Sequence, residues 1–319
     1  MRKHVQKAIV VIDIVLFPLV FLSAVLLKFV RRAGVKRMPL CKAMLMSVGV
    51  FPIRNHYYEP VFDKKELQEL LSGGRSLPGI NLNVLGQLEL LDMLTFADEL
   101  SDLNDEKGAQ VEFSFDNSTF LSGDAEFWYQ LIRRLKPKRI VEVGSGNSTL
   151  LAARAIKKNA LESNGWQCEH VCIEPYEMPW LDELDVKLIR DRVEKIDLDL
   201  FKQLEGNDIL FIDSSHVIRP NGDVLHEILE ILPILNVGVV VHFHDIFTPR
   251  NYLSSWLVDD VRFWNEQYLL EAFLSQNDRW EVLGALNYLH HNHFERLNAV
   301  APFLTGDREP GSFYIRKVG

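Results

Sequence analysis

From residue 139 onward the chain repeats one pattern: a short β-branched run stops at glycine or a polar group, and a stretch of helical period follows. Ile140–Val143 stops at Gly144-Ser145-Gly146, after which Leu150, Leu151, Ala155 and Ile156 recur at helical spacing. His170–Ile173 runs into Glu174 and Val186–Ile189 is a third run. Asp208–His216 ends in polar groups, Gly222–Leu232 reads as a helix, and Val237–Ile246 forms a fifth strand. Trp280–Leu289 and Ser312–Lys317 supply the last strands. Strands alternating with helices indicate an α/β, doubly wound, largely parallel sheet. Such sheets bind ligands beyond the carboxyl ends of their strands. Polar groups gather at four of those ends: Gly144–Gly146, Glu174, Asp213–His216 and His242–Asp245.

The strand, glycine turn and helix at 139–151 form a cradle for a nucleotide-like ligand. Glycine lets the backbone come close, and the free N–H groups of the first helical turn face the ligand. Glu174 stands thirty residues beyond Gly144. A carboxylate at the neighbouring strand tip can accept hydrogen bonds from both ribose hydroxyls, and the polar stretch Asn159–Glu169 absorbs a spacing longer than the usual ~20 residues. His216, His244 and Asp245 are the candidate proton acceptors, since a base must reach the acceptor's proton and an unperturbed imidazole titrates near neutrality. In an unbroken strand His242 and His244 share one face and Asp245 takes the other. Asp213 and Asp245 with a histidine are also a candidate divalent-cation set, which would lower the pKa of an acceptor hydroxyl.

Val141-Glu-Val-Gly-Ser-Gly146, Ile173-Glu-Pro175, Phe211-Ile-Asp-Ser-Ser-His216 and His242-Phe-His-Asp-Ile-Phe247 together resemble the class I S-adenosylmethionine-dependent methyltransferases, the last two a bacterial branch of them. The resemblance spans about Tyr57 to the C-terminus. It implies a Rossmann-like seven-stranded sheet with a reversed last strand. It also implies S-adenosylmethionine as cofactor, with Glu142, Gly144, Ser145, Gly146 and Asn147 around its methionine and ribose parts. Glu174 would then hold the ribose hydroxyls and Asp213 would approach the methionine end. Asn147-Ser148 stands where the family's third loop glycine would be. A sulfonium nucleoside has no pyrophosphate to admit, so the change is compatible with it and weighs against a nicotinamide dinucleotide. The expected activity is methyl transfer, at oxygen, to a small or lipid-linked acceptor. The alternatives are a non-catalytic cofactor-binding scaffold of the same fold and, further off, a nicotinamide-dependent oxidoreductase.

The N-terminus carries a different signal. Ala8–Leu27 is twenty residues long and broken only by Asp13, Pro18 and Ser23, which matches the thickness of a bilayer core. Asp13 lies toward one end, where an ionisable group costs less than at mid-helix. The sequence after it offers no small-x-small cleavage site, against a cleaved signal peptide. Three basic residues precede the span and Lys28, Arg31, Arg32, Lys36 and Arg37 follow it, which places the large domain in the cytoplasm by the positive-inside rule. The expected organisation is a single-pass anchor and juxtamembrane segment at 1–52, a helical connector at 53–138 and the catalytic core at 139–319. Met38–Pro52 is apolar enough to lie along a membrane surface.

Net charge separates these parts. Residues 1–42 carry a net +8, leaving −17 for the remainder of a chain whose total is −9. An acidic body of that size excludes non-specific nucleic-acid binding. Cys41, Cys168 and Cys172 are too few for a disulfide framework, and the lone Cys168-x₃-Cys172 pair reads as reduced packing rather than zinc. Within the connector, Asp63-x-x-Glu66 reads as a helix-opening capping box and Gly108 as a loop. Leu85, Leu88, Leu91 and Leu94–Phe96 mark a core-facing helix, and Ser122-Gly-Asp124 starts another that ends at Lys136-Pro137. His56, Tyr57 and Tyr58 are candidates to line a substrate site, whereas His290-His-Asn-His293 reads as surface or loop.

Overall fold

A computed structural model describes residues 2–61, 73–104, 112–115, 117–176 and 178–319. The expected Asp63–Glu66 capping box and the Gly108 loop lie outside them. The chain divides into two compact units, Met1–Leu70 and Leu71–Gly319. Composition changes at 52 and 138 instead, because the helices that follow residue 73 are polar in places yet packed into the sheet unit.

In the N-terminal unit α1 (Arg2–Ala33) runs through Pro18, and its apolar side chains are exposed, Phe17 by 70% and Leu26 by 66%. By length and composition it is able to cross a membrane. Gly34 breaks it, and α2 (Pro39–Val48) opens on Pro39 and closes on Gly49 in the left-handed conformation, as helix termini favour. Glu59 pairs with Arg31 and Arg54. Tyr57 and Tyr58 are exposed and line none of the cavities described below.

The larger unit is a seven-stranded sheet in the order β3-β2-β1-β4-β5-β7-β6. Its strands are β1 (Arg139–Val143), β2 (Glu169–Ile173), β3 (Lys187–Ile189), β4 (Ile209–Ile212), β5 (Val240–Phe243), β6 (Trp280–Ala285) and β7 (Phe313–Lys317). The first five are parallel, and β7 runs antiparallel to both β5 and β6. Strand order therefore reverses at β1, with β2 on one side and β4 on the other. The adjacent carboxyl ends of those strands form the crevice where such sheets hold ligands.

Three strands are shorter than the sequence suggests, each for a local reason. Asp208 belongs to a turn, where its carboxylate accepts N–H bonds from Lys138, Arg139 and Glu205, and β4 stops at Ile212. Gly238 (φ +87°) delays the start of β5, and Asp245 (φ +61°) turns the chain just past its end. The stretch expected as one strand from Trp280 to Leu289 changes at Ala285 into a helix, Leu286–Asn292, where Leu286 and Leu289 are buried at helical spacing. His290 and His291 thus lie on a helix, with His291 bonded to Glu309.

Helices α3 (Val84–Met93), α4 (Asp124–Leu135) and α5 (Asn147–Glu162) complete the elements that matter for the site. On α3 the buried leucines are Leu90 and Leu91, while Leu85 is exposed, contrary to the expected face. Gln87 fixes that rotation: its amide donates to Leu82 and accepts from the N–H of Ala285. α4 is buried from Asp124 to Arg133, so it is an internal element rather than an amphipathic cover. It packs on α5, and its Trp128 indole donates to the Ser148 carbonyl.

Candidate active site

The glycine loop is shaped by its neighbour across the sheet. Gly144 has φ +81°, and a Cβ there would lie 2.0 Å from the carbonyl oxygen of Asp213, so no other residue fits. Its N–H donates to Ile173, and the N–H of Asp213 donates to Val143. The tips of β1, β2 and β4 are thereby locked in register. Glu174, just past β2, accepts the N–H groups of Ser145 and Tyr176. α5 starts at Asn147, whose side chain donates to Thr119.

A cleft of about 320 Å³ opens over these tips, lined by Gly144, Glu174, Arg192, Glu194, Asp213 and Asp223 among others. Of the expected cofactor residues, Gly144, Glu174 and Asp213 line it. Ser145, Gly146, Asn147 and Glu142 do not. The Glu142 carboxylate is fully buried behind the loop, accepting from Thr149 at 2.5 Å and facing His170 Nε2 at 3.0 Å. Because Thr149 is in the first turn of α5 and its hydroxyl accepts the Gly146 N–H, Glu142 supports the loop from beneath. Arg192 and Glu194 follow β3 and were missed, although the strand-tip rule that selected the other four ends applies there equally.

Asp213, His216 and Asp245 converge at the edge of this cleft, their ligand-type atoms within 4.8 Å of one another. His216 Nε2 is 3.3 Å from Asp213 and 3.7 Å from Asp245. Convergence depends on left-handed backbone at His216 (φ +59°) and Asp245 (φ +61°), an unusual state for such residues that clusters at functional sites. β5 has ended before His244, so strand alternation no longer separates His244 from Asp245. His244 Nδ1 lies 3.5 Å from Asp245 and 3.6 Å from Asp213, and its Nε2 lies 3.9 Å from Asp124. His242, one step earlier, stays in the sheet, bonded to Ser312 and stacked on Tyr314.

Electrostatics distinguish the three histidines. Burial lowers the affinity of His242 for a proton, and nearby His244 lowers it further. Burial acts the same way on His216, but the Asp213 and Glu266 carboxylates outweigh it and hold that imidazole well above its ordinary value. His244 is likewise raised against burial by Asp245, Asp213 and Asp124. Asp213 is held far below the carboxylate range by the two imidazoles, overcoming its own burial, while burial pushes Asp245 up.

Glu266, fifty residues from His216 and buried, accepts from His216 Nδ1 at 2.8 Å. That bond leaves Nε2 facing the two aspartates, the arrangement by which an outer carboxylate orients a ligating or proton-transferring imidazole. Nothing local in the sequence marks Glu266; only folding brings it there. A second cavity, of about 580 Å³, opens on the other side of the cluster and has His244, Asp245, Asp124 and Trp256 in its wall.

A family model described as a methyltransferase domain matches residues 141–246, the stretch holding every strand tip described above. An uncharacterized protein of Archaeoglobus fulgidus is 30% identical over 173 residues, covering 50% of this chain and 76% of that protein. Among solved structures, an O-methyltransferase from Bacillus cereus in complex with SAH aligns over 80% of this chain and 96% of its own, at 13% identity and a TM-score of 0.35. A 16S rRNA (adenine(1408)-N(1))-methyltransferase from Catenulisporales acidiphilia aligns over 61% and 93%, at 12% identity and a TM-score of 0.29. Residues 141–246 are thus a methyltransferase domain, set in a seven-stranded sheet whose reversed seventh strand is the one expected of the class I S-adenosylmethionine-dependent fold.

Proposed function

We propose that the protein is an O-methyltransferase in which the smaller cleft holds S-adenosylmethionine and the larger cavity holds the acceptor. The observation that carries this reading is the Asp213–His216–Asp245 cluster, which stands between the two cavities with Asp213 lining one and Asp245 the other. In this reading Glu174 accepts the ribose hydroxyls, Gly144 to Asn147 surround the donor, and Asp213 stands near its methionine end. The acceptor oxygen attacks the methyl carbon with a lone pair. The S–CH₃ bond breaks with its electrons left on sulfur, and S-adenosylhomocysteine departs as a neutral thioether. Holding the oxygen in line supplies much of the rate.

The hydroxyl proton passes to the imidazole of His244, which lines the larger cavity beside Asp245. Asp124, beside Nε2, steadies the imidazolium that results. Two carboxylates and an imidazole whose other nitrogen is already occupied by Glu266 are a donor set that fits a divalent cation. Asp213, His216 Nε2 and Asp245 would hold it, and it would lower the pKa of the acceptor hydroxyl while neutralising the carboxylates that otherwise keep His244 protonated. We further propose that α1 anchors the protein in a membrane with the large unit in the cytoplasm, from its span and the basic residues that follow it.

Calorimetry with S-adenosylmethionine and its demethylated product tests the donor assignment. Binding to the purified protein is expected, and absence of binding overturns it. Added Mg²⁺ or Mn²⁺ is expected to support transfer that a chelator abolishes; full activity in chelator removes the cation from the mechanism. Deleting residues 1–37 is expected to release the protein from membranes, and persistent association contradicts α1 as sole anchor.

A further inference from the structure

The chemistry of the larger cavity indicates the acceptor class, an inference that rests on the methyltransferase assignment above. Buried His244 and Asp124 with Asp245 form one part of its wall, and the segments 118–122, 253–256 and 307–311 form the rest, the second running into a helical turn at Ser255–Asp259. Five hydroxyl-bearing residues line it, Ser118, Thr119, Ser122, Ser254 and Ser255. Ser122 donates to Glu126 and so keeps its two lone pairs, and Thr119 accepts from Asn147 and so keeps its O–H and one lone pair. Carboxylates of Asp307 and Glu309 and the guanidinium of Arg308 stand at the rim.

Apolar surface is interspersed with polar groups: Leu121, Leu253 and Trp256 are part-exposed in the wall, and Phe247 is almost wholly buried beneath it. Trp256 is half-buried. Its ring meets Phe247 and Trp264 edge-on and carries the Arg262 guanidinium at 4.6 Å from its centroid. Arg262 lies over Trp264 at the same distance, and Trp264 is in turn 4.2 Å from the His216 ring. The tryptophan that borders the acceptor cavity is thus braced from outside and tied to the cation-ligand candidate.

Each acceptor class makes a different demand on such a wall. An acyl chain needs a continuous apolar lining, whereas here Leu121, Leu253 and Trp256 are separated by hydroxyl-bearing and charged residues. A phosphate or carboxylate needs a cationic pocket, and the one guanidinium in this wall, Arg308, stands between Asp307 and Glu309. A planar phenol gains from aromatic faces on both sides, and this wall offers a single part-exposed ring. A saturated ring bearing several hydroxyls matches all three features: donors and acceptors for hydroxyls in many directions, no demand for a cationic pocket, and one indole for its apolar face. Sites built to bond substrate hydroxyls also reject analogues lacking them by large factors.

We propose that the acceptor is a neutral or amino-bearing glycosyl unit, methylated at a ring hydroxyl. That hydroxyl reaches His244 and Asp245, while the remaining hydroxyls bond the serine-rich mouth and the ring lies on Trp256.

The test uses full-length protein with methyl-labelled S-adenosylmethionine and three sets of probes: methyl glycosides of hexoses, 6-deoxyhexoses and hexosamines; catechol and caffeate; and glycerol phosphate and hexuronates. Binding of each set is read in parallel by saturation-transfer NMR in the presence of S-adenosylhomocysteine. Label is expected in the glycosides, with glycoside binding visible by NMR. Trp256→Ala and Ser254→Ala are expected to raise KM for the glycoside at least tenfold while leaving calorimetric affinity for the cofactor unchanged. Transfer to the phenols or the anions with none to glycosides overturns the acceptor class and leaves the methyltransferase assignment standing. No glycoside binding in the presence of bound S-adenosylhomocysteine overturns it as well. A protein that fails to bind the cofactor at all refutes the underlying assignment instead.

Discussion

Glu142, His170 and Cys172 bring ligand-type atoms within 4.8 Å of one another inside the sheet, and Asp213, His216 and Asp245 do the same at its carboxyl edge. The residue types are nearly the same. The inner group is fully buried, and its carboxylate is spent on Thr149 and His170. The outer group has an imidazole with one nitrogen committed to Glu266 and the other turned toward two aspartates, and those aspartates border different cavities. What separates a supporting cluster from a reactive one here is where the remaining bonding capacity points. Substitutions in the inner group should therefore act on stability, and substitutions in the outer group on chemistry.

The sharpest break between the two is Asp213→Asn. Shape is kept and the charge that organises His216 and His244 is lost, so turnover is expected to fall by roughly 10²–10⁴-fold, the range attached to a lost acid–base group. Thermal stability should fall as well, but by less than turnover, because the Asp213 side chain is part-exposed. A stability loss as large as the activity loss would merge the two clusters into one structural class. Glu142→Gln is the converse. Removing one partner of a buried ion pair costs roughly 3–5 kcal/mol, which denaturant unfolding would read directly, while turnover per folded molecule stays within a few-fold. A catalytic collapse without destabilisation would reverse the roles assigned here.

Glu174→Ala sharpens the comparison from the donor side. Glu174 lines the cleft and is not part of either cluster, so its loss should weaken S-adenosylmethionine binding by roughly 1–3 kcal/mol, as for hydrogen bonds to a charged group. Unfolding should shift less, by about 1 kcal/mol for the lost Ser145 and Tyr176 N–H bonds. Unchanged affinity would remove Glu174 from the ribose.

How much of this was legible in the sequence follows the same division. Strand tips were legible, because an apolar run ending in a charged group marks both the strand and the place where ligands bind. Gly144 was legible as a loop residue, but the reason for it, the Asp213 carbonyl 2.0 Å from any Cβ, depends on a strand seventy residues away. The convergence of His216, Asp245 and Glu266 was not legible. It depends on two left-handed residues and on a helix placed by tertiary packing. Glu142 was misleading for the opposite reason: its position in the motif suggests the ligand, whereas its burial turns it toward α5 and β2. The strand-to-helix change at Ala285 was hidden because Val282, Leu283, Leu286 and Leu289 are all buried, and continuous burial erases the difference between the two periods.

A pH-dependent effect concerns the inner pair alone. Burial disfavours the charged form of His170, but Glu142 outweighs it and raises the imidazole to about 10, from an ordinary value of 6.5. A group bound more tightly to its proton in the folded state stabilises the fold fully below its unfolded pKa and loses that contribution as pH rises through the folded one. Stability should therefore decline between about pH 6.5 and 10 by more than in His170→Gln, whose glutamine does not titrate in that window. Denaturant midpoints across the range test this. Parallel curves for the two proteins would mean that His170 is neutral in the fold and that Glu142 is held by Thr149 alone. A steeper decline in the unaltered protein would establish the inner cluster as an ion pair that supports the glycine loop without touching the cofactor.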